Sequence, residues 1–306
     1  MPEQLKPINI LIIGGSGFVS GTLTQTAMAD GHRVWTITRG QRPLPAGVIS
    51  LIANRHDPRA FEHAVASAET QWDLVVDCIG YEKADTKQDI EIFRSLTRHL
   101  VFVSTDFVFH PAHRQFPQGE DSNHYLPSEY GGKKRRCELA LINGDTGDMQ
   151  WTVVRPCHIY GPGSQLGCLP LHSRDTALIS RLKAGETLQL VGGGHFLQQP
   201  ILARDLADLI LSIHGNESTY GQIFCAAGPN IIESRQYYRI IADILGVEFK
   251  VEEISVSDHL ATHPEAAPFL CHRIYDLSKL RFSGVKVPST PIEQGLHEHV
   301  ESLLDR

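Results

Sequence analysis

A short apolar segment followed by a glycine-rich turn is the feature that most constrains the fold of this chain. Residues 8–13 are almost continuously apolar, which is typical of a strand buried on both faces of a parallel sheet. The turn that follows, residues 14–21, reads Gly-Gly-Ser-Gly-Phe-Val-Ser-Gly. Glycines let the chain turn tightly into a helix, and they let its amide groups approach a pyrophosphate at the helix N-terminus. The pattern therefore predicts a dinucleotide-binding turn that includes Gly14, Ser16, Gly17, Phe18 and Val19.

Strand-like and helix-like segments alternate after this turn. The early part of the chain predicts helices at residues 22–29, 58–68 and 87–98 and strands at residues 33–38, 74–79 and 100–104. The later part predicts helices at residues 129–143, 203–213 and 234–245 and strands at residues 152–155 and 222–226. Strands that alternate with helices form βαβ units. The chain is therefore predicted to have an α/β fold with a doubly wound parallel sheet of the Rossmann type.

The alternating pattern loosens after Pro162, where glycine, proline and polar residues dominate as far as His195. This change predicts a smaller unit that is built mainly from late segments. We predict that residues 1–160 and 198–228 form a dinucleotide-binding domain. Residues 161–197 and 229–306 are predicted to form a C-terminal substrate-binding lobe.

Charge and composition disfavour several other classes of protein. The chain has 28 Lys and Arg against 35 Asp and Glu, a net charge of -7 that makes nucleic acid an unlikely partner. The six cysteines include no C-x-x-C pair, and the closely spaced histidines have no carboxylate or thiolate set beside them, so no metal site is predicted. No basic and apolar leader begins the chain and no window approaches about 18 unbroken apolar residues. These observations predict a cytoplasmic enzyme with no membrane partner.

The segment Tyr130-Gly131-Gly132-Lys133-Lys134 suggests acid–base chemistry. The ordinary pKa of tyrosine is near 10, and lowering it to about 7 requires about 4 kcal/mol of preferential stabilisation of the anion. A nearby cation supplies part of this free energy. Residues four apart lie on one face of a helix, which favours Lys134 as the neighbour of Tyr130, with Lys133 as a geometrical rival. The alternative interpretation is a solvated basic helix that touches nucleic acid.

Thr105 follows the strand predicted at residues 100–104. Doubly wound sheets bind their ligands beyond the carboxyl ends of the strands. At this position, Thr105 would donate a hydrogen bond to a reacting carbonyl group, and Asp106 beside it is a possible acid.

The end of the second predicted strand bears on the choice of cofactor. An NAD site usually has an acidic residue there that accepts a hydrogen bond from the ribose 2'-hydroxyl, whereas a 2'-phosphate is bound by a guanidinium group. Residues 36–42 read Thr-Ile-Thr-Arg-Gly-Gln-Arg and include no acid. Arg39, with Arg42 in reserve, therefore favours NADP, and NAD is the alternative.

Several segments together resemble the extended short-chain dehydrogenases/reductases. Residues 14–21 resemble the G-G-x-G-F-[IV]-G turn of that family, and residues 103–109 resemble its strand-end segment with a catalytic Ser or Thr. Residues 130–134 match its Y-x-x-x-K motif, residues 155–162 its R-P-x-N-x-Y-G-P motif and residues 201–207 its V-x-D-[VL]-A segment. The resemblance extends over nearly the whole chain. It implies that Thr105, Tyr130 and Lys134 are the catalytic residues.

The resemblance also implies where further residues lie. Asp57 resembles the family's adenine-contacting acid, and Cys78, Ile79 and Gly80 would line the nicotinamide ribose. The remaining residues that the family motifs place beside the cofactor are Ser104, Lys134, Pro156 and His158. Tyr81, Asp106 and His158 are the candidates for contact with substrate.

Three positions depart from the family pattern. Ser20 replaces the last glycine of the turn, and His158 replaces the usual Asn. Phe107 stands where nucleotide-sugar dehydratases carry an acid, which argues against dehydration. His158 is either a substrate or proton-relay residue or a satisfied core histidine.

The predicted function is NADP(H)-dependent hydride transfer at a carbonyl group or secondary alcohol of a polar small molecule, such as a nucleotide sugar. A nucleotide-sugar epimerase would use the same residues and is one alternative. The other is a catalytically silent relative that binds RNA or senses the cofactor. A homodimer is a candidate assembly.

Overall fold

The computed structural model describes residues 6–127, 129–170 and 174–305. Its strands are β1 (Asn9–Ile13), β2 (Arg33–Thr38), β3 (Ile49–Ile52), β4 (Leu74–Asp77), β5 (His99–Val103), β6 (Gln150–Pro156), β7 (Ile159–Tyr160), β8 (Leu188–Val191), β9 (Leu197–Gln198), β10 (Ile201–Leu202), β11 (Gln222–Ala226), β12 (Ile232–Glu233) and β13 (Val251–Ile254). Its α-helices are α1 (Phe18–Ala29), α2 (Pro58–Ala66), α3 (Lys83–Phe93), α4 (Glu129–Ile142), α5 (Leu178–Lys183), α6 (Ala203–Ser212), α7 (Ser234–Leu245), α8 (Val256–Thr262), α9 (Ser278–Phe282) and α10 (Ile292–Leu304). Residues 1–5, where the sequence predicts no secretory leader, lie outside the described residues.

The described residues form one sheet of seven strands in the order β11-β6-β5-β4-β1-β2-β3. Each neighbouring pair in this sheet runs parallel. The strand order reverses at β1, because the chain adds β2 and β3 on one side and then crosses to β4 on the other. Ligands bind to such sheets beyond the carboxyl ends of the strands at the reversal point. The predicted α/β fold with a doubly wound parallel sheet is confirmed.

Both faces of the sheet are covered, which explains why β1 is apolar throughout. Ile10 and Ile12 pack into a core with α1 and α6, whereas Leu11 and Ile13 pack into a second core with α2, α3 and α4. These four side chains of β1 are fully buried. A strand buried on both faces has no polar side to present to water, so its sequence is continuous rather than alternating.

Several element boundaries differ from those predicted. α1 begins at Phe18 instead of residue 22, and α3 spans Lys83–Phe93 instead of residues 87–98. The edge strand β3 is absent from the pattern-based prediction, because only Leu51 of its four residues is buried. An edge strand with one buried side chain has too short an apolar pattern to be recognised.

Late segments build a third core beside the sheet. Its buried side chains come from the sequence range that begins at Tyr160 and ends at Val300, and they include residues of α5, α7 and α10. The strand pairs β8–β13, β9–β12 and β7–β10 belong to the same late part of the chain. This third core is compatible with the predicted substrate-binding lobe, although the domain boundaries stay a prediction. Among the described residues, no helix combines the length and the apolar character needed to cross a membrane.

Candidate active site

The glycine-rich turn joins β1 to α1 in a conformation that glycine adopts easily. Gly14 has a φ of +118° and Gly15 a φ of +77°, and a Cβ atom on Gly15 would lie 2.4 Å from the Thr36 side chain of β2. Ser20, which stands in place of the family's last glycine, accepts a hydrogen bond from the Gly17 N–H at 3.0 Å. The serine therefore stabilises the turn, and the N-terminus of α1 presents its partial positive charge beyond β1.

A groove of about 410 Å³ extends from this turn across the ends of β1 and β2, and we call it the Arg39 groove. Its lining includes Gly14, Ser16, Gly17, Arg39, Arg42 and Asn54. Arg39 and Arg42 are both exposed. Two guanidinium groups at the end of β2 make this part of the groove suited to an anionic group.

Asp57 has a different environment from the one that the family resemblance implies. Its carboxylate accepts a hydrogen bond from the Ala60 N–H at 3.1 Å and caps the N-terminus of α2. Asn54, three residues earlier, lines the Arg39 groove instead. Asp57 therefore stabilises α2, whereas Asn54, Arg55 and His56 are the polar residues of this loop that line the groove; contact of Asp57 with adenine stays a prediction.

A second cleft of about 760 Å³ lies over the carboxyl ends of the central strands, and we call it the Tyr130 cleft. Gly17, Ser20, Ile79 and Tyr81 line both the Arg39 groove and the Tyr130 cleft, so the two are continuous. The Tyr130 cleft brings together the predicted residues Phe18, Val19, Cys78, Ile79, Tyr81, Ser104, Thr105, Asp106, Tyr130, Lys134, Pro156 and His158. These residues are far apart in the sequence and meet because their strands end at one edge of the sheet.

Tyr130 and Thr105 both line this cleft. Burial raises the pKa of the Tyr130 hydroxyl, and the interaction with the Thr105 side chain opposes that rise. The Tyr130 residue remains 47% exposed and its ring centroid lies 6.0 Å from that of Phe107 and 6.4 Å from that of Tyr81. The Tyr130 ring therefore stays open to a ligand.

Lys134 lies beneath the cleft and is 2% exposed. Its Nζ donates a hydrogen bond to the Val103 carbonyl oxygen at 2.8 Å and lies 4.6 Å from the centroid of the Tyr81 ring. Burial lowers the pKa of Lys134, and the Asp77 carboxylate opposes this effect. The sequence predicts that Lys134 stands beside Tyr130; the two line one cleft, and the Lys134 ammonium is bonded to the Val103 carbonyl at the end of β5.

Asp106 is bound by two arginines, which does not fit a role as a proton donor. Its carboxylate forms ion pairs with Arg114, at 3.2 Å, and with Arg273, and it accepts a hydrogen bond from the Tyr275 hydroxyl. Burial raises the pKa of Asp106, but the two arginines lower it below its ordinary value. The acid role suggested by the sequence is therefore corrected: Asp106 is an ionised anchor beside Thr105.

His158 is a buried histidine on the wall of the Tyr130 cleft. Burial lowers the pKa of His158 to about 4, so the imidazole is neutral near pH 7. Among the described residues, no group forms a hydrogen bond with its Nε2 atom. The Nε2 atom is itself buried and the Gly167 backbone acts on the same ring, so contact of His158 with a ligand stays a prediction.

A buried network fixes α4 against the sheet. Ser104 donates a hydrogen bond to Glu138 at 2.6 Å, and Arg155 of β6 donates two more to the same carboxylate, at 2.9 and 2.8 Å. Arg135 adds a further bond at 2.7 Å. Glu138 lies one helical turn beyond Lys134 on α4, so this network holds the helix that carries Tyr130 and Lys134 in register with the ends of β5 and β6. It also assigns Ser104 a structural contact in addition to its place in the cleft.

Several lining residues of the Tyr130 cleft were missed by the sequence analysis, among them Arg174, Glu265 and Phe269. They come from late segments that carry no recognisable motif. Phe269 packs on Phe107 with ring centroids 5.5 Å apart, and Arg174 lies over the Phe18 ring at 5.6 Å. Within the described ranges, no three His, Cys, Asp or Glu side chains are close enough to hold a metal ion.

Gly80 lies behind the cleft, where its missing side chain makes room for Asp77. A Cβ atom at this position would lie 2.2 Å from Asp77 Oδ2 and 2.8 Å from the Phe102 ring. We expect Gly80→Ala to lower the free energy of unfolding by about 1–3 kcal/mol, because buried and well-packed atoms must move. Urea unfolding measures this change. The control is Gly119→Ala, where nothing lies within 4 Å of the added Cβ; equal stability of the two variants would contradict the packing argument.

Comparison with curated proteins gives two informative relatives. The chain is 26% identical over 244 residues to the chloroplast stem-loop binding protein of 41 kDa b of Arabidopsis thaliana, which covers 73% of this chain. The chain spans only 59% of the length of that plant protein. It is also 26% identical over 288 residues to the 2'-dehydrokanamycin reductase of Streptomyces kanamyceticus, covering 91% of this chain and 79% of the reductase.

Solved structures share the fold along almost the entire chain. The UDP-N-acetylglucosamine 4-epimerase of Methanobrevibacter ruminantium superposes with a TM-score of 0.81 at 17% identity, covering 98% of this chain and 99% of the epimerase. The UDP-glucose 4-epimerase of Thermotoga maritima gives a TM-score of 0.76 at 18% identity, with 97% and 99% covered. The model of the NAD dependent epimerase/dehydratase family matches residues 10–226. The chain therefore belongs to the NAD dependent epimerase/dehydratase family, and it is an NAD(P)-dependent enzyme of the short-chain dehydrogenase/reductase or epimerase type.

Proposed function

We propose that this chain is an NADP(H)-dependent oxidoreductase that transfers a hydride at a carbonyl carbon or secondary alcohol of a polar small molecule. The observation that carries the proposal is the pair of hydroxyl groups in the Tyr130 cleft. Tyr130 and Thr105 both line this cleft, the Thr105 side chain lowers the pKa of Tyr130 against the effect of burial, and the buried Lys134 lines the same cleft. Two hydroxyl donors directed at one position stabilise a carbonyl oxygen as it becomes an alkoxide.

Each of the three residues has a distinct part in carbonyl reduction. Thr105 donates a hydrogen bond to the carbonyl oxygen, and Tyr130 gives that oxygen its proton. Lys134 contributes a positive charge beneath the cleft, which favours the tyrosinate that remains. In the oxidation direction Tyr130 takes the proton from the alcohol. The nicotinamide ring, when bound, supplies or accepts the hydride.

The residues of the two connected cavities fit a dinucleotide. The N-terminus of α1 lies at the glycine-rich turn and favours a pyrophosphate. The residues that would hold the cofactor are Gly14, Ser16, Gly17, Phe18, Val19, Arg39, Asn54, Cys78, Ile79, Ser104, Lys134, Pro156 and His158. Gly80 supports this set from behind.

Arg39 supports NADP over NAD as the preferred cofactor. It is exposed in the Arg39 groove at the end of β2, where an NAD site usually has an acid. An ion pair with a 2'-phosphate contributes about 1–3 kcal/mol, which is about five- to 150-fold in affinity. We expect Arg39→Ala to weaken NADPH binding by that factor and to leave NADH binding nearly unchanged, as measured by fluorescence titration.

Arg59→Ala is the matched control for this experiment, because Arg59 is exposed on α2. It should leave both affinities unchanged. Equal affinity of the wild-type protein for NADPH and NADH would remove the argument for NADP, as would an unchanged preference in Arg39→Ala.

The lining of the Tyr130 cleft supports a polar substrate. Arg174 and Glu265 are exposed at this cleft, and His158 forms part of its wall. The similarity to a dehydrokanamycin reductase and to UDP-sugar epimerases supports hydroxylated substrates, nucleotide sugars among them. Dehydration needs a proton donor for the leaving hydroxyl group. Phe107 has no acidic group, and Asp106 is ion-paired with two arginines, so neither residue supplies that proton.

A substrate screen tests the proposed function. Purified protein is incubated with NADPH and a panel of keto sugars, nucleotide-linked and free, and loss of the reduced nicotinamide absorbance is recorded. We expect consumption of NADPH with at least one member of the panel. Interconversion of a nucleotide sugar without NADPH consumption would identify an epimerase instead. Salt-dependent retention of RNA with no turnover on any substrate would identify a binding protein.

A further inference from the structure

A buried cluster of charged residues lies behind the junction of the two cavities. Arg55, from the loop before α2, donates to Asp77 Oδ1 at 3.0 Å and to Asp89 Oδ1 at 2.9 Å. Its Nε lies 3.4 Å from Asp85 Oδ1. Asp77 and Asp89 are completely buried, and Arg55 and Asp85 nearly so. Three carboxyl groups therefore surround one guanidinium group away from water.

Asp77 and Asp89 each have one oxygen atom without a donor. Among the described residues, no N–H or O–H group forms a hydrogen bond with Asp77 Oδ2 or with Asp89 Oδ2. Both carboxyl groups contact the same guanidinium group, Asp77 through Nη1 and Asp89 through Nη2 of Arg55, so they lie close together. Ionisation of two buried carboxyl groups at such close quarters is costly, whereas one proton between their free oxygens satisfies both.

We propose that Asp77 and Asp89 share one proton, carried by Asp89, and that the negative charge left on Asp77 keeps the buried ammonium of Lys134 charged. Asp77 is then a positioning residue for the reaction, since it acts through Lys134. The proposal about Lys134 rests on the proposed function, whereas the shared proton does not.

The distribution of donors explains why the charge resides on Asp77. Its Oδ1 accepts hydrogen bonds from Arg55 and from the Ile79 N–H, the latter at 2.8 Å, whereas Asp89 accepts only from Arg55. Burial raises the pKa of Asp77, but Arg55, Asp89 and Lys134 together lower it below its ordinary value. Burial and the charge of Asp77 raise the pKa of Asp89 well above its ordinary value.

Asp77 of β4 lies opposite Phe102 of β5 in the sheet, and Lys134 Nζ lies 4.8 Å from the Phe102 ring and donates to the next carbonyl, so Asp77 and Lys134 meet at the same strand ends. Burial lowers the pKa of Lys134, Asp77 raises it most, and Arg55 lowers it. Cys78 and Cys137 also lie nearby, but burial raises the pKa of both thiols, so they are neutral near pH 7. Asp85 faces Arg55 from α3, and the exposed His56 lies 3.8 Å from Asp85. Without the charge of Asp77, Lys134 would lose its proton at a lower pH.

Infrared spectroscopy tests the shared proton directly in the full-length protein without substrate. The difference spectrum between wild type and Asp89→Asn at pH 7 should contain the carbonyl stretch of a protonated carboxylic acid, which the amide variant lacks. Asp89→Asn mimics the protonated acid, because its amide can still accept from Arg55 and donate to Asp77, so it should fold normally. Absence of the band at pH 7 would overturn the shared proton.

Nuclear magnetic resonance tests the effect on Lys134. The lysine Cε resonances are followed with pH in protein that carries ¹³C-labelled lysine, and the signal of Lys134 is assigned by its absence in Lys134→Arg. In Asp77→Asn the titration midpoint of Lys134 should fall by about one pH unit or more, a tenfold change in its proton affinity. In Asp89→Asn it should stay within a few tenths of a unit of wild type. Equal midpoints in wild type and Asp77→Asn, or a fall in Asp89→Asn as large as in Asp77→Asn, would overturn the role of Asp77.

A second readout covers the case in which Asp77→Asn does not fold. Wild type and Asp89→Asn are then compared by urea unfolding between pH 5 and pH 8. When folding raises the pKa of an acid, the folded protein keeps a proton that the unfolded chain has released, so the free energy of unfolding falls as pH rises toward the folded pKa. Wild type should show this fall and Asp89→Asn should not, so the variant should gain stability relative to wild type between pH 5 and pH 8. A constant difference would contradict the proposal. None of these three measurements requires enzyme turnover. If the protein reduced no carbonyl substrate, the proposed function would be contradicted, but the three measurements would still decide whether Asp77 and Asp89 share a proton and whether Asp77 acts on Lys134.

Discussion

Replacement of Tyr130 by phenylalanine is expected to reduce kcat by 10² to 10⁴, the usual contribution of a positioned acid–base group. The change removes only the hydroxyl of Tyr130 and keeps the ring beside Phe107. The fold and the affinity for the cofactor should therefore stay close to those of the wild type. Steady-state kinetics with the best substrate of the panel, together with a cofactor titration, measure both quantities.

Tyr81→Phe is a matched control for this variant. Tyr81 lines the same cleft and is also 47% exposed, but its hydroxyl is not given a role in proton transfer. It should alter KM more than kcat. Retention of more than roughly a tenth of the wild-type rate by Tyr130→Phe would make acid–base catalysis by Tyr130 untenable.

Asp106→Asn is expected to lower the free energy of unfolding by about 3–5 kcal/mol, the usual effect of breaking a buried ion pair. The amide cannot balance the charges of Arg114 and Arg273, which are both buried. Because Arg273 also lies over the Phe107 ring at 4.3 Å, loss of this anchor should loosen the wall of the cleft as well. Equilibrium urea unfolding near pH 7 measures the loss.

The pH dependence distinguishes this anchor from a proton donor. The folded pKa of Asp106 lies below its ordinary value, so its contribution to stability is present above about pH 4 and is lost as pH falls through the folded pKa. The difference between wild type and Asp106→Asn should therefore narrow below about pH 4. The exposed Asp121 provides the control, since Asp121→Asn should change stability very little. A stable Asp106→Asn variant with a large loss of kcat would instead support Asp106 as an acid.

The fold could be predicted from the sequence because the central strands carry a strong signal. β1, β2 and β11 are apolar segments between turns, and the predicted bounds of β2 and β11 agree with the structure. β3 could not be found from its pattern, since an edge strand with only Leu51 buried resembles a loop. The start of α1 was placed late because residues 18–21 belong at once to the glycine-rich motif and to the helix.

The site was predictable where the chemistry lies within short motifs. Thr105, Tyr130 and Lys134 meet in one cleft, as the strand end and the helical spacing suggest. The helix cap at Asp57 could not be told from a cofactor contact, because an acid before a proline fits both a helix cap and a cofactor motif. The contact between Asp106 and Arg273 spans 167 residues, so no local pattern reveals it.

The buried cluster of charged residues around Arg55 also depends on contacts between residues that are far apart in the sequence. Arg55, Asp77 and Asp89 come from three separate elements, and a buried acid at the end of β4 is the only signal that the sequence offers. Arg174 and Phe269 reach the cleft from late segments whose positions depend on tertiary packing.

Hydride transfer itself is the central claim, and isotope labelling tests it most directly. Wild-type protein is incubated with NADPH that carries deuterium at the transferable position and with the substrate that the screen selects, and the product is analysed by mass spectrometry and proton NMR. We expect one deuterium atom on the former carbonyl carbon, one NADP⁺ formed per product molecule and no loss of water. An unlabelled product that is lighter by one water, or an unlabelled isomer of the substrate, with the deuterated NADPH recovered unchanged in either case, would contradict the account.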